Sequence, residues 1–70
     1  MNAVVKNLVL NATKAVGLNP DEIMEYTFEQ LTPAEYKEVK GFLEWCVAHG
    51  KKYGWGNIDE RLEEYKKSKR

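Results

Sequence analysis

Seventy residues are expected to make one domain, and a single cysteine excludes an intrachain disulfide framework. A chain this short buries a thin core, so helix packing or self-association has to hold it together. Eleven Lys and Arg offset eleven Asp and Glu, and a neutral total argues against attachment to nucleic acid by overall charge.

The charge is unevenly placed. Residues 1–35 carry a net −3 and residues 36–70 a net +3. Charges that follow helix ends explain this most simply, although a dipolar molecule also steers charged partners or stacks on its own copies. A lone thiol fits a reducing compartment. The longest early apolar run, Leu8-Val9-Leu10, is too short for a signal-peptide core or a membrane span, so a cytoplasmic protein is expected.

The first helix is expected over about 3–16. At the helical period Val4, Val5, Leu8, Val9, Ala12, Ala15 and Val16 share one face, while Lys6, Asn7, Asn11, Thr13 and Lys14 take the other. Leu10 stands among the polar residues as an exposed contact candidate. Gly17 follows the pattern where a helix stop is wanted.

In the stretch NPDE, Asn19 caps, Pro20 fits the first turn, and Asp21 and Glu22 meet the positive end of the dipole. The second helix is expected over about 20–30, gathering Ile23, Met24, Thr27, Phe28 and Leu31 and leaving Tyr26 at the edge. In TPAE, Thr32, Pro33 and Glu35 form a capping box that starts a third helix over about 33–49. Its main face is Tyr36, Val39, Phe42, Leu43, Cys46 and Val47; nearly opposite lie Gly41, Trp45 and Ala48. Gly41 lowers helix propensity, and close approach of another element would explain it. Trp45 either packs under the fourth helix and the loop before it or faces another protein, since tryptophan is enriched among binding hot spots.

The segment HGKKYGWGN connects helices 3 and 4. In one reading Gly50 ends helix 3, Lys51 and Lys52 complement its negative end, Tyr53 and Trp55 fold back as apolar lids, and Asn57 caps helix 4. In the other, Lys51, Lys52, Tyr53 and Trp55 form a small nucleic-acid or phosphate site, joined by the basic tail. That site lacks dispersed cations, a Walker ending and a preceding strand. Helix 4 is expected over about 57–67, with Ile58, Leu62 and Tyr65 as its stripe and 66–70 as a frayed basic end.

Catalytic constellations are sparse. Cys46 and His49 share a helix three positions apart, but no orienting group or oxyanion hole is evident, and Cys46 lies in the apolar stripe. These two are also the only soft or borderline metal ligands, so neither metal nor cofactor is expected. Ser68, the sole serine, lies in the tail, and the carboxylates Asp21, Glu22, Glu25 and Glu29 read as a solvated face. A helix-turn-helix reading of helices 2 and 3 would turn Glu38 and Glu44 toward phosphates.

The expected fold is therefore all-α, a compact bundle of four short helices with helix 3 central. The expected function is a non-enzymatic protein-interaction module, a regulator, inhibitor or assembly subunit suited to a bacterial or phage accessory protein. Its expected contact residues are Leu10, Tyr26, Trp45 and Trp55, and helix 1 or the Trp45 face offers a surface for homodimerisation. The alternative is nucleic-acid binding through Lys51, Lys52, Tyr53, Trp55 and the tail.

Overall fold

The computed structural model describes residues 1–69, and Arg70, the last residue of the expected basic tail, lies outside them. Helices α1 (Ala3–Val16), α2 (Pro20–Thr27), α3 (Pro33–Ala48) and α4 (Ile58–Ser68) follow one another with no strand among the described residues. They form an all-α bundle of 29 × 23 × 21 Å. Helix α1 packs on α2, α2 on α3, and α3 on α4.

Local capping chemistry sets the boundaries. Asn19 Oδ1 accepts from the Asp21 and Glu22 amides at 2.9 and 3.4 Å, with Pro20 in the first turn. The Thr32–Glu35 capping box is complete: the Glu35 amide donates to Thr32 Oγ1 at 3.2 Å and the Thr32 amide to Glu35 Oε1 at 3.0 Å. Asn2 caps α1 in the same way, its Oδ1 accepting from the Val5 amide at 2.9 Å. At the end of α3, Gly50 has φ +63°, the Lys51 amide donates to the Cys46 carbonyl at 2.8 Å, and the Gly50 amide donates to the Val47 carbonyl at 3.2 Å. This reciprocal pair is a Schellman stop, which favours glycine at the left-handed position. Helix α4 continues through Ser68, and Lys66 and Lys67 of the expected basic end belong to its last turn.

The core joins Val5, Val9, Leu10 and Ala12 of α1 with Ile23 and Met24 of α2. Val39, Phe42, Leu43 and Cys46 of α3 and Ile58, Leu62 and Tyr65 of α4 complete it with the loop residue Tyr53. Phe42 is fully enclosed, with the rings of Tyr53 and Tyr65 at 5.5 and 5.8 Å.

The inward face of α1 departs from expectation. Val4 and Ala15 are exposed, whereas Leu10 is only 4% exposed. The strip Lys6–Leu10–Thr13, spaced by four and three, turns inward because other elements meet it. Lys6 pairs with Asp59 of α4, and the Thr13 hydroxyl shares a 2.8 Å hydrogen bond with that of Tyr53. Lys6 and Thr13 are thus satisfied by tertiary partners, while Asn7, Asn11 and Lys14 stay exposed. Leu10 is a core residue and not a surface contact.

Gly41 faces the close approach its position implies. A Cβ at Gly41 would lie 2.5 Å from the hydroxyl of Tyr65 and 3.6 Å from the ring carbon bearing it. Gly41→Ala is therefore expected to destabilise the parent, although alanine gains about 0.8–1 kcal/mol of helix propensity over glycine. In a Tyr65→Phe background the clashing oxygen is gone, and the same substitution is expected to stabilise by up to about 1 kcal/mol. Urea melts of the four proteins check this; an unchanged sign across the two backgrounds would refute the contact.

Candidate functional site

The segment after α3 is a structural closure. Tyr53 is buried between α1 and α3 against Phe42, with its hydroxyl on Thr13. Lys51 Nζ lies 3.3 Å from Glu64, whose other oxygen accepts from Arg61 at 2.6 Å. Hydrogen bonding to Arg61, reinforced by Lys51, holds the Glu64 carboxyl below its usual range. The Lys52 carbonyl accepts from Arg61 Nε at 2.9 Å and from Asn57 Nδ2 at 3.2 Å.

Asn57 does not cap α4 with its side chain as the sequence suggests. Its Oδ1 turns back to accept from the Gly54 amide at 2.7 Å. Trp55, expected as a lid, is instead 63% exposed. Of the four residues in the nucleic-acid reading, Tyr53 is in the core and Lys51 is paired with Glu64, leaving Lys52 and Trp55 at the surface.

Trp45 is half-buried and packs within the chain. Its indole lies 5.8 Å from the ring of Tyr65 and 5.0 Å from that of His49. The Nε1 atom is enclosed with no hydrogen-bond partner among the described residues. Tyr65 of α4 thus packs on Trp45, the helix 4 part of the packing reading, while Trp55 of the loop stands in solvent. Val47, expected on the main face of α3, is exposed beside Leu18 on a shallow apolar hollow of about 170 Å³.

The thiol and imidazole have separate surroundings. Cys46 is buried, and burial pushes its thiol up to about 11, against a smaller lowering influence from Arg61. His49 is exposed, with Nδ1 2.9 Å from the Trp45 carbonyl. A thiol that holds its proton this firmly is a poor nucleophile near neutrality.

The raised thiol also makes folding sensitive to alkali. An unperturbed thiol ionises near 9.0, while the folded one keeps its proton to about 11. Between those values the unfolded state has released the proton and the folded state has not, so stability falls as pH rises through that window. Burial raises the Tyr53 phenol in the same direction. Thermal melts from pH about 8 to 11 are expected to show a falling Tm, with a shallower slope in Cys46→Ala. Identical slopes in the two proteins would exclude Cys46 as a contributor.

A further open surface lies between α2 and α3. Tyr26 is 49% exposed and Phe28 is 64% exposed, the latter a correction to its expected core position. The cause is the ending of α2. Buried Thr27 donates its hydroxyl back to the Ile23 carbonyl at 2.9 Å, and residues Phe28–Gln30 tighten into a 3₁₀ turn. The turn swings Phe28 out of the stripe and sets it edge-on to Tyr36, with ring centres 5.8 Å apart.

An open groove of about 690 Å³ runs here, with Met24, Tyr26, Phe28 and Tyr36 among its walls and Asp21, Glu25 and Glu29 along it. A second, more apolar hollow of about 350 Å³ adjoins it through Phe28 and Tyr36 and adds Leu31 and Pro33. Of the sequence-selected contact residues, only Tyr26 lies in this groove; Leu10 is in the core, Trp45 lies under α4, and Trp55 is exposed on the loop. Phe28 was missed because the helical period was carried past Thr27. One legible signal was the acidity of the C-terminal half of helix 2, where Glu25 and Glu29 run against the dipole preference.

No group of His, Cys, Asp and Glu among the described residues is arranged to hold a metal ion, and no helix is long and apolar enough to cross a membrane. No protein-family model, curated protein or solved structure matches the chain.

Proposed function

We propose that this chain is a non-enzymatic interaction module that binds a protein partner through a helical face, as a regulator, inhibitor or assembly subunit. The observation that carries this reading is the pair of exposed aromatics, Tyr26 and Phe28, on the α2–α3 groove. A small bundle gains stability by burying aromatic area, and here two rings at one helix end remain in water. Contiguous exposed apolar surface with a polar rim is the usual mark of a protein contact, and aromatic side chains in a concave setting supply much of its affinity. Of the other surfaces considered for self-association, helix 1 sends Val5, Val9 and Ala12 into the core while Val4 and Ala15 stay exposed, and Trp45 packs on Tyr65.

A photo-crosslinking amino acid in place of Tyr26 tests the reading. Irradiated in cells that produce the chain, it is expected to yield a discrete adduct with one protein. The same residue at exposed Glu63 on α4 is expected to yield none. Absence of an adduct from position 26, with the variant folded by circular dichroism, would overturn the proposal.

A further inference from the structure

We infer that the α2–α3 groove receives a cationic amphipathic segment of another protein, with apolar side chains seated on Phe28, Leu31 and Tyr36 and lysines or arginines against Glu25 and Glu29. This deepens the interaction reading and rests on it. Three observations specify the occupant.

The first is shape and polarity. The two adjoining hollows share Phe28 and Tyr36, giving an apolar floor that ends against Leu31 and Pro33. Such a floor fits the anchors of a helix laid in a groove.

The second is charge. Between Lys14 and Lys37 the chain has five acidic residues and no basic one. Asp21, Glu22, Glu25 and Glu29 enter no ion pair among the described residues, and Lys40 is the one cation lining the larger hollow.

The third is the position of those acids. Asp21 and Glu22 sit in the first turn of α2, where the dipole favours them, and Glu35 serves the capping box. Glu25 and Glu29 have no such local role. They flank the C-terminal end of α2, where negative charge is unfavourable and no basic side chain occupies the last turn. A cation arriving from outside would relieve this arrangement and steer its own approach.

A second copy of this chain fits less well. Its basic end, Lys66, Lys67 and Lys69, lies on α4, whose apolar stripe of Ile58, Leu62 and Tyr65 is already buried. That end offers charge without an exposed apolar anchor. Beside the loop, exposed Leu18 and Val47 line a hollow with Lys51 and Lys52, a concave surface that receives anchors instead of inserting them, and Lys51 is held by Glu64.

The test uses two fluorescein-labelled probes, amphipathic helical peptides of roughly 14 residues built from leucine with lysine or leucine with glutamate. Fluorescence anisotropy is read for the parent, Glu25→Lys/Glu29→Lys, Phe28→Ser and the remote reversal Glu60→Lys/Glu63→Lys. Circular dichroism confirms that each variant is folded. The leucine–lysine peptide is expected to bind the parent saturably. Both groove variants are expected to weaken it about tenfold or more, and the remote reversal less than about twofold, since both reversals change net charge equally. The leucine–glutamate peptide is expected not to bind.

Equal losses from the groove and remote reversals would reveal diffuse charge attraction and overturn the assignment. So would absent binding of the lysine peptide, or a concentration-dependent mass in light scattering that Glu25→Lys/Glu29→Lys abolishes, which would make a second copy the occupant. A position-26 adduct to an acidic or uncharged segment would leave the interaction module standing and remove only its cationic partner.

Discussion

Phe42→Ala is expected to cost about 3–5 kcal/mol, enough to unfold much of the population. Phe42 is fully enclosed, and its ring lies within 5.8 Å of those of Tyr53 and Tyr65. Truncation removes the transfer free energy of the ring, leaves a cavity among α1, α3 and α4, and breaks two aromatic pairs. A chain of this size has roughly 4–10 kcal/mol of total stability, so the loss consumes a large share of it. The expected readout is a large drop in the urea midpoint. An unfolding free energy within about 0.5 kcal/mol of the parent would show that α3 is not the centre of the bundle.

The second large effect concerns the loop. Tyr53→Ala is expected to cost about 3 kcal/mol or more, and Trp55→Ala to stay within about 0.5 kcal/mol. The two aromatics are separated by a single glycine and look equivalent in sequence. Tyr53 is buried on Phe42, with its hydroxyl bonded to Thr13, so its loss opens a cavity and unfastens the loop from α1. Trp55 stands in solvent. Tyr53→Phe separates the two contributions: it keeps the ring, loses the hydrogen bond and is expected to cost about 1 kcal/mol. If Tyr53→Ala melted like the parent, the segment would regain its standing as a binding loop.

Both predictions bear on how the groove is built. With Tyr53, Tyr65 and Phe42 filling the middle, α3 presents Tyr36 and Lys40 toward α2 at its other end. The groove is then a product of how α2 ends. Had α2 run on through residue 30 as its period suggests, Phe28 would have continued the stripe of Ile23, Met24 and Thr27, and the surface would have been smaller and more polar. The hydroxyl of Thr27, spent on the carbonyl one turn back, accompanies the change to a tighter turn.

What the sequence determined by itself is where the helices begin and where α1 and α3 end. Asn19-Pro20, the Thr32–Glu35 box, Gly17 and Gly50 act within a turn of their own positions, and a hydrogen bond spanning three or four residues needs no distant partner. The need for room at Gly41 was legible for a related reason, because glycine inside a helix has a cost that some neighbour must justify. Which side of each helix lies inside was decided only by the tertiary structure. Leu10 went in because Tyr53 and Asp59 arrived to satisfy Thr13 and Lys6. Of two neighbouring loop rings one was swallowed and one left out, and Phe28 was turned to solvent by the ending of its own helix. Burial is a property of pairs of elements, and periodicity describes one element at a time.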